Sequence, residues 1–315
     1  MTVPFPSFPS SARALTRHLP PIEAISRLAR TASFEIGSGG LAEFDHARAW
    51  LPPGATISIT STRTDTADDR VAMAKALIEA GFDALPHVSA RRLASEHDGE
   101  ALIGRLRDEA GVTQLFLVGG DAPEPVGPFD AALSLVGRFR LASRGIQRVG
   151  FAAYPEAHPL IDAEILDCAL DTKIAVSEDA GLEPFVTTQF TFAPAPILNW
   201  LSRARARGIV APVHIGVAGP ASISALLRYA RLCGVGPSAR SLVSNGASIA
   251  RMLQETAPDP VIRGLGEAAE SRDLEHTSLH IYPFGGLERA ARWISAVALG
   301  QFHLRESGTG FDLAA

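Results

Sequence analysis

The sequence predicts an α/β fold, a single (β/α)8 TIM barrel with a short N-terminal arm and a helical insertion before the last strand. Eight short apolar runs alternate with amphipathic stretches in which apolar residues recur at i, i+3, i+4 and i+7. Glycine or proline occupies nearly every junction. This alternation indicates βαβ units and a parallel sheet, and eight units are the number that closes a barrel. The strand-like runs are 32–37, 55–60, 82–88, 114–120, 147–154, 184–190, 211–217 and 277–284.

An open, doubly wound sheet is the alternative arrangement of βαβ units. That fold usually carries Gly-x-Gly-x-x-Gly after its first strand, whereas the glycines here read GSGG and lack that spacing. We therefore expect one barrel domain over residues 31–303, preceded by an arm and a short helix at 1–30. The insertion covers about residues 238–275, and residues 304–315 are expected to form a frayed tail.

Composition and charge exclude several classes of protein. Hydrophobic residues make up 46% of the 315 residues, which is enough for a large core and too many for a disordered chain. The net charge of −5 argues against nucleic acid or an anionic membrane surface as a partner. No apolar run approaches the ~20 residues of a membrane span, and the first residues do not form a signal peptide. Because there are only two cysteines, Cys168 and Cys233, we expect no disulfide framework and a cytoplasmic protein.

Polar side chains follow nearly every predicted strand. In a (β/α)8 barrel the carboxyl ends of the strands meet at one mouth, where the active site lies. The carboxylates Glu35 and Asp121 belong to strands one and four, and we expect them to face each other across this mouth in different roles. The candidates at the other strand ends are Thr60, His87, Tyr154, His158, Gln189, His214, His280 and Tyr282.

Other motifs narrow the chemistry further. The sequence has no His-Glu-x-x-His and no Cys-x-x-Cys, and its histidines are scattered, so we expect no dedicated metal site. It also lacks the Gly-x-Ser-x-Gly elbow and the Walker A motif. Gly119 and Gly120 open the turn GGDAPEPVGPF, where the backbone can approach a flat or phosphorylated ligand closely.

Taken in order, these segments resemble the methylenetetrahydrofolate reductase family over about residues 31–300. The Tyr-Pro-Glu-x-His-Pro and Thr-Gln-Phe segments are the most specific, because they occur in order and at the expected strand ends. The segments that carry the resemblance are SFEIG (33–37), ISIT (57–60), PHVSAR (86–91), VGGDAP (118–123), VGFAAYPEAHP (149–159), DAG (179–181), TTQF (187–190) and HIYPFGGLERA (280–290).

The resemblance implies an enzyme that binds FAD across the mouth and reduces 5,10-methylenetetrahydrofolate to 5-methyltetrahydrofolate with NADH or NADPH. Glu35 is then the general acid that opens the five-membered ring of the folate, and Asp121 lies near the flavin and the pterin. Gln189 and Tyr282 bind the tetrahydrofolate. Since the family forms dimers and tetramers, a homo-oligomer is compatible with the resemblance. The implied cofactor-binding residues are Thr60, His87, Gly119, Gly120, Asp121, Tyr154, His158 and Lys173.

Three departures from the family pattern fall on the cofactor side. Gly119 stands where the family usually has an arginine, the turn after Glu35 lacks its prolines, and TKIAVSEDAG replaces a Lys-x-Lys spacing near Lys173. Arg91 or Arg92 could supply the lost positive charge. Two alternatives to the FAD enzyme follow from these departures. One is direct hydride transfer from NADH to the folate without a flavin, and the other is a folate-binding accessory protein without redox activity.

Overall fold

The computed structural model describes residues 20–62, 64–156, 158–236, 238–239, 254–269 and 271–314. Within these residues, eight parallel strands close into a barrel in the order β1-β8-β7-β6-β5-β4-β3-β2. The predicted (β/α)8 barrel is confirmed, and every predicted strand overlaps an observed one. The strands are β1 (Ser33–Gly37), β2 (Thr56–Thr60), β3 (Asp83–Ser89), β4 (Gln114–Val118), β5 (Arg148–Ala153), β6 (Glu183–Thr188), β7 (Val213–Ala218) and β8 (Thr277–Tyr282).

Helices follow the strands around the outside of the barrel. Two of the described helices lie between β7 and β8, and the second belongs to the predicted insertion. Residues 240–253 and 270 of that insertion lie outside the described residues, as do residues 1–19 of the predicted arm. The described helices are α1 (Pro21–Arg30), α2 (Leu41–Ala47), α3 (Ala67–Glu79), α4 (Glu96–Asp108), α5 (Ala132–Arg138), α6 (Ala163–Asp179), α7 (Pro194–Ala206), α8 (Ile223–Leu232), α9 (Asp259–Glu267) and α10 (Leu287–Ala298).

The barrel closes where β1 pairs with β8. Ser33 is the parallel register partner of His280, and on the other side of β1 Glu35 is the partner of Ser58 on β2. Since side chains alternate along a strand, Ser33 and Glu35 share one face of β1, while Phe34 and Ile36 point the other way into the helix-facing core. Closure therefore places a carboxylate, a histidine and a serine from the two ends of the chain side by side.

A small apolar layer fills the centre of the barrel. Leu85, Phe116 and Phe185, from β3, β4 and β6, are buried together there, separately from the larger core between strands and helices. The interior of a barrel of this size is packed with side chains, so it is not a channel. The layer therefore separates the polar groups at the mouth from those at the opposite end.

Local hydrogen bonds determine where α3 begins. The Thr66 hydroxyl accepts a bond from the Asp69 backbone N–H at 3.1 Å, and the Asp69 carboxylate accepts one from the Thr66 N–H at 3.0 Å. This reciprocal capping box satisfies two N–H groups that have no partner within the helix. The helix after β2 therefore starts at a position that the sequence itself specifies.

The end of the chain differs from the frayed tail that we expected. Strands β9 (Phe302–Leu304) and β10 (Phe311–Leu313) pair antiparallel. Phe311 is 2% exposed, and its N–H donates to the buried Asp259 carboxylate at 3.1 Å. The expectation of a frayed tail was wrong, because the glycines and polar residues between these strands form a turn and the flanking apolar residues pack against the body of the protein.

Candidate active site

Glu35 lies on β1 inside the mouth of the barrel. Its side chain is 23% exposed, and its Oε2 lies 3.9 Å from Nε2 of His280, which is 2% exposed. The other ring nitrogen of His280, Nδ1, lies 2.9 Å from the Ser33 hydroxyl, which also lies 3.4 Å from the Leu279 carbonyl. The three side chains therefore form a series that runs from the mouth into the barrel interior.

Two groups near Glu35, His87 and Tyr282, have pKa values that burial moves away from neutral pH. Burial lowers the pKa of His87 to about 4, although the charge of Glu35 acts in the opposite direction, so this imidazole is neutral at pH 7. Burial and then the charge of Glu35 raise the pKa of Tyr282 well above its ordinary value, so the phenol keeps its proton. The Tyr282 hydroxyl donates to the Thr188 carbonyl at 3.1 Å. His87 and Tyr282 therefore each keep one protonation state near neutral pH.

Asp121 has a different environment from Glu35. It lies in the loop after β4, its side chain is 76% exposed, and its Oδ1 is 2.5 Å from Nη2 of Arg92. Arg91 holds the same loop through its Nε, which donates to the Ala122 carbonyl at 2.7 Å, and through Nη2, which donates to the Pro123 carbonyl. Glu35 thus lies inside the barrel, whereas Asp121 is exposed on a loop, and the expectation that the two carboxylates face each other across the mouth stays a prediction.

The two glycines before Asp121 differ in their surroundings. A Cβ at Gly119 would meet no atom within 4 Å, so the space beside this residue is open. Gly120 has φ +95°, and a Cβ there would lie 3.2 Å from that of Ser89. A side chain is therefore tolerated at Gly119 but strained at Gly120.

Tyr154 and His158 are brought together after β5. Their rings meet edge to face with centroids 4.9 Å apart, and His158 Nδ1 accepts a bond from the Leu160 N–H at 3.2 Å. Burial raises the pKa of Tyr154 and lowers that of His158. Cys233, just beyond α8, is close enough for its charge to affect the pKa of Tyr154 and of Tyr282. The loop after β5 and the end of α8 therefore meet at one side of the mouth.

The remaining predicted residues divide into two groups. Thr60 donates to the Ile36 carbonyl at 3.3 Å, and the Gln189 side-chain oxygen accepts from the Phe190 N–H at 3.1 Å, so both lie at strand ends. Lys173 does not come to the mouth. Its Nζ lies 5.4 Å from the ring centre of the fully buried Phe151, between α6 and β5, and burial lowers its pKa.

Aromatic rings cover one side of the mouth. The mouth aromatic cluster joins the loop after β6, helix α8 and the end of β8. Tyr229 of α8 stacks on Phe284 with ring centres 4.1 Å apart and planes 12° apart. Phe190 meets Phe284 at 4.9 Å and Tyr282 at 5.6 Å. Its members are Phe190, Phe192, Tyr229, Tyr282 and Phe284.

Sequence reasoning named His280 without giving it a role, and it missed Ser33 and the aromatic cluster. The alternation of His280, Tyr282 and Phe284 at every second residue indicated a common face. The pairing of β8 with β1, which makes these residues neighbours of Glu35, had no local signal in the sequence.

His214 lies at the opposite end of the barrel from the place where we expected it. It is the second residue of β7, next to Ser278, whose hydroxyl lies 2.7 Å from its Nδ1. Burial lowers the pKa of His214 to about 3, with smaller effects of His280 and Arg148. The expectation was wrong because β7 extends four residues beyond His214, and only the last of them reach the mouth.

The described residues lack a metal-binding cluster and a membrane-spanning helix. No group of three or more His, Cys, Asp or Glu side chains is arranged to hold a metal ion. No helix among these residues has the length and apolar character needed to cross a bilayer.

A family profile and a curated relative of this chain both carry the same family name. The sequence profile described as methylenetetrahydrofolate reductase matches residues 43–242, which cover β2 to β7, whereas Glu35 and His280 lie outside that range. Methylenetetrahydrofolate reductase 2 of Saccharomyces cerevisiae is 27% identical over 190 residues, which are 58% of this chain and 30% of the yeast protein. The match thus spans less than a third of that relative's length.

Solved structures resemble the chain more distantly. Dihydropteroate synthase from Thermus thermophilus has a TM-score of 0.45 at 15% identity, covering 84% of this chain and 92% of its own. A putative lyase/mutase from Burkholderia cenocepacia J2315 has a TM-score of 0.44 at 13% identity, covering 85% of each chain. Scores this low do not indicate a shared function. On the extent of the profile match, the chain belongs to the methylenetetrahydrofolate reductase family.

Proposed function

We propose that the chain is an oxidoreductase of one-carbon folate metabolism that interconverts 5,10-methylenetetrahydrofolate and 5-methyltetrahydrofolate with NADH or NADPH. The observation that carries this proposal is the series Glu35, His280 and Ser33 inside the mouth of a chain of this family. A cytoplasmic location and a homo-oligomeric state stay predictions.

Glu35 supplies the proton in the proposed reduction. It protonates N10 of the folate, the bond from N10 to the methylene carbon breaks, and the carbon stays on N5 as an iminium. A hydride then reduces this carbon to a methyl group, NAD(P)H becomes NAD(P)⁺, and a proton from solvent restores Glu35. A positioned acid of this kind contributes roughly 10²–10⁴ in rate.

His280 adapts to both protonation states of Glu35. When the Ser33 hydroxyl donates to the Leu279 carbonyl, His280 carries its proton on Nδ1 and presents a lone pair at Nε2 to the acid. When the hydroxyl turns and donates to Nδ1, Nε2 carries the proton and faces the carboxylate. The 3.9 Å separation from Glu35 is longer than a hydrogen bond, and we expect it to shorten when substrate binds.

Residues at neighbouring strand ends are suited to orient the folate. The Gln189 amide retains its NH₂ donors, because only its oxygen accepts the Phe190 N–H, and such donors match the edge of a pterin. The Tyr282 hydroxyl already donates to Thr188, so it is left to accept a bond. Asp121 offers a carboxylate at the rim, held by Arg92.

FAD stays a prediction, and the described residues fit its diphosphate poorly. Gly119 has no side chain, Lys173 packs against Phe151, and Arg91 donates to carbonyl groups of the loop after β4. Arg92 is paired with Asp121 through Nη2, although its buried Nε has no hydrogen-bond partner among the described residues. A resident dinucleotide needs positive groups free to bind its phosphates.

This poor fit favours a second candidate, in which hydride passes directly from C4 of NAD(P)H to the folate. A co-substrate that leaves in every turnover needs far less affinity than a resident cofactor, so a mouth with few phosphate contacts serves it. Intersecting initial-rate lines and transfer of deuterium from C4 of labelled NADH into the product methyl group are expected. A purified protein with a flavin spectrum and parallel lines would contradict this route.

Turnover by the purified protein tests the main proposal. NADH or NADPH should be oxidised only when 5,10-methylenetetrahydrofolate is present, with 5-methyltetrahydrofolate as product. Tight folate binding without turnover by either nucleotide would instead indicate the accessory protein.

A further inference from the structure

Glu156 of the Tyr-Pro-Glu-x-His-Pro segment makes contacts that the proposed reaction does not use. One oxygen, Oε2, accepts a bond from the Ser238 backbone N–H at 3.1 Å, and the other accepts one from the Ser238 hydroxyl. The same hydroxyl accepts a bond from the Phe192 N–H at 2.9 Å. Ser238 is only 7% exposed, so these bonds lie within the protein.

The direction of these bonds follows from the chemistry of the groups. An ionised carboxylate only accepts, so the hydroxyl proton of Ser238 must point at Glu156. A lone pair of the same oxygen then faces the Phe192 N–H. Glu156 thus orients the serine that holds Phe192, and three separate loops of the mouth are joined through one hydroxyl.

A second contact joins two of these segments. Gly234, just after α8, has φ +71°, and a Cβ there would lie 2.6 Å from Cδ of Pro159 in the loop after β5. This close approach places the end of α8 directly on that loop. The bonds between Glu156 and Ser238 lie on the same pair of segments, which are therefore attached at two points.

The joined loops carry the mouth aromatic cluster. The ring of Phe192 meets that of Phe190 at 5.5 Å, and Phe190 packs on Tyr282 and Phe284. At its middle α8 is held to the loop after β8 by the stack of Tyr229 on Phe284. Beyond its end it is held to the loop after β5 by Glu156 and Ser238. The position of the mouth aromatic cluster therefore depends on both attachments.

We propose that Glu156 is a positioning residue. Through Ser238 it holds the turn at 189–192 and the end of α8, so that the mouth aromatic cluster lies against the flat pteridine ring of the folate. This inference rests on the proposed function. It assigns Glu156 to the folate, because its bonds lead through Ser238 and Phe192 to the turn that carries Gln189 and Phe190.

The variants Glu156→Gln and Ser238→Ala test this role. We expect each to raise the KM for folate about tenfold, the loss that one displaced hydrogen bond to a charged group produces. The KM for NAD(P)H should stay within about twofold. In the double variant the effects should not add, because both residues act through one series of bonds. Glu100→Gln is the matched control, since it removes a partly exposed carboxylate bonded to Arg144 at 2.6 Å away from the mouth.

Several results would overturn the positioning role. An unchanged KM for folate in both single variants would do so, and so would equal increases in both KM values together with a lower Tm, which indicate only a structural brace. If the wild-type protein lacks turnover, the proposed function fails instead. Folate binding by calorimetry then decides, and an unchanged Kd in both variants would reject the role of Glu156.

Discussion

The β1–β8 side of the mouth and the β4 side differ in how their polar groups are held. Glu35, Ser33 and His280 lie on strands, are largely buried and contact one another. Asp121, Arg91 and Arg92 lie beyond strand ends, in a loop and a short 3₁₀ turn, and Asp121 is exposed. Strands cannot move without breaking the barrel, whereas loops can change with little effect on the fold. Under the proposed function, proton transfer depends on the rigid β1–β8 side, and the contacts that orient folate or nucleotide depend on the variable β4 side.

The largest expected effect separates the two carboxylates. Glu35→Gln should reduce folate turnover by roughly 10²–10⁴, because it removes the proton donor. Asp121→Asn keeps an acceptor for Arg92 and should cost only about tenfold, mainly in the KM for folate. Steady-state rates with saturating NAD(P)H measure both, and equal losses would remove the distinction between the two sides.

A smaller effect is expected one contact away from the acid. Ser33→Ala leaves His280 in place but removes the hydroxyl at its Nδ1, so kcat should fall about ten- to a hundredfold and its pH profile should shift. Ser26→Ala is the control, since Ser26 is another buried serine, on helix α1 outside the barrel, where its hydroxyl donates to the Val297 carbonyl at 3.0 Å. A loss in kcat that is equal in the two variants would argue against the series.

The variable side can be tested by restoring a cation. Gly119→Arg places a guanidinium in open space, and we expect FAD to bind about tenfold more tightly without loss of stability. Gly120→Arg adds the same charge at a residue with φ +95° and should be destabilised by about 1–2 kcal/mol. Flavin fluorescence titration and thermal unfolding measure the two effects. Tight FAD binding by the wild-type protein would reverse our interpretation of this side.

Near neutral pH the smallest expected effect concerns stability at the two ends of the barrel. His87 at the mouth and His214 at the opposite end have pKa values lowered by burial to about 4 and about 3. Below pH 6.5 the unfolded chain takes up protons that the folded protein does not, so stability is complete above that pH and is lost as pH falls toward these values. Each histidine contributes about 1.4 kcal/mol per pH unit in this range.

Denaturant unfolding at several pH values measures this slope. His214→Gln should remove one histidine's share of it without altering folate turnover at neutral pH. A slope unchanged by this substitution would show that His214 is not kept neutral by burial.

The barrel and most strand-end candidates could be predicted, but their partners could not. The alternation of apolar runs and amphipathic stretches predicted β1, β2 and β8 as strands, and it placed Glu35 within the first of them. Nothing local indicated that Arg92 would hold Asp121, that Lys173 would pack on Phe151, or that His214 would lie at the far end. Each of these outcomes depends on which residues of distant segments meet in space.

The sequence by itself determined the strand–helix order, the inward face of each strand and the residue types available at the mouth, because side-chain alternation and turn residues act over a few positions. The tertiary structure alone decided which of those side chains work together. Closure of β1 against β8 brought Ser33 and Glu35 next to His280, although Ser33 and His280 are 247 positions apart in the sequence. The position of α8 and of the segment beyond it joined Glu156 to Ser238 and completed the mouth aromatic cluster. Contacts of this range follow from the geometry of the closed barrel, which no short stretch of sequence encodes.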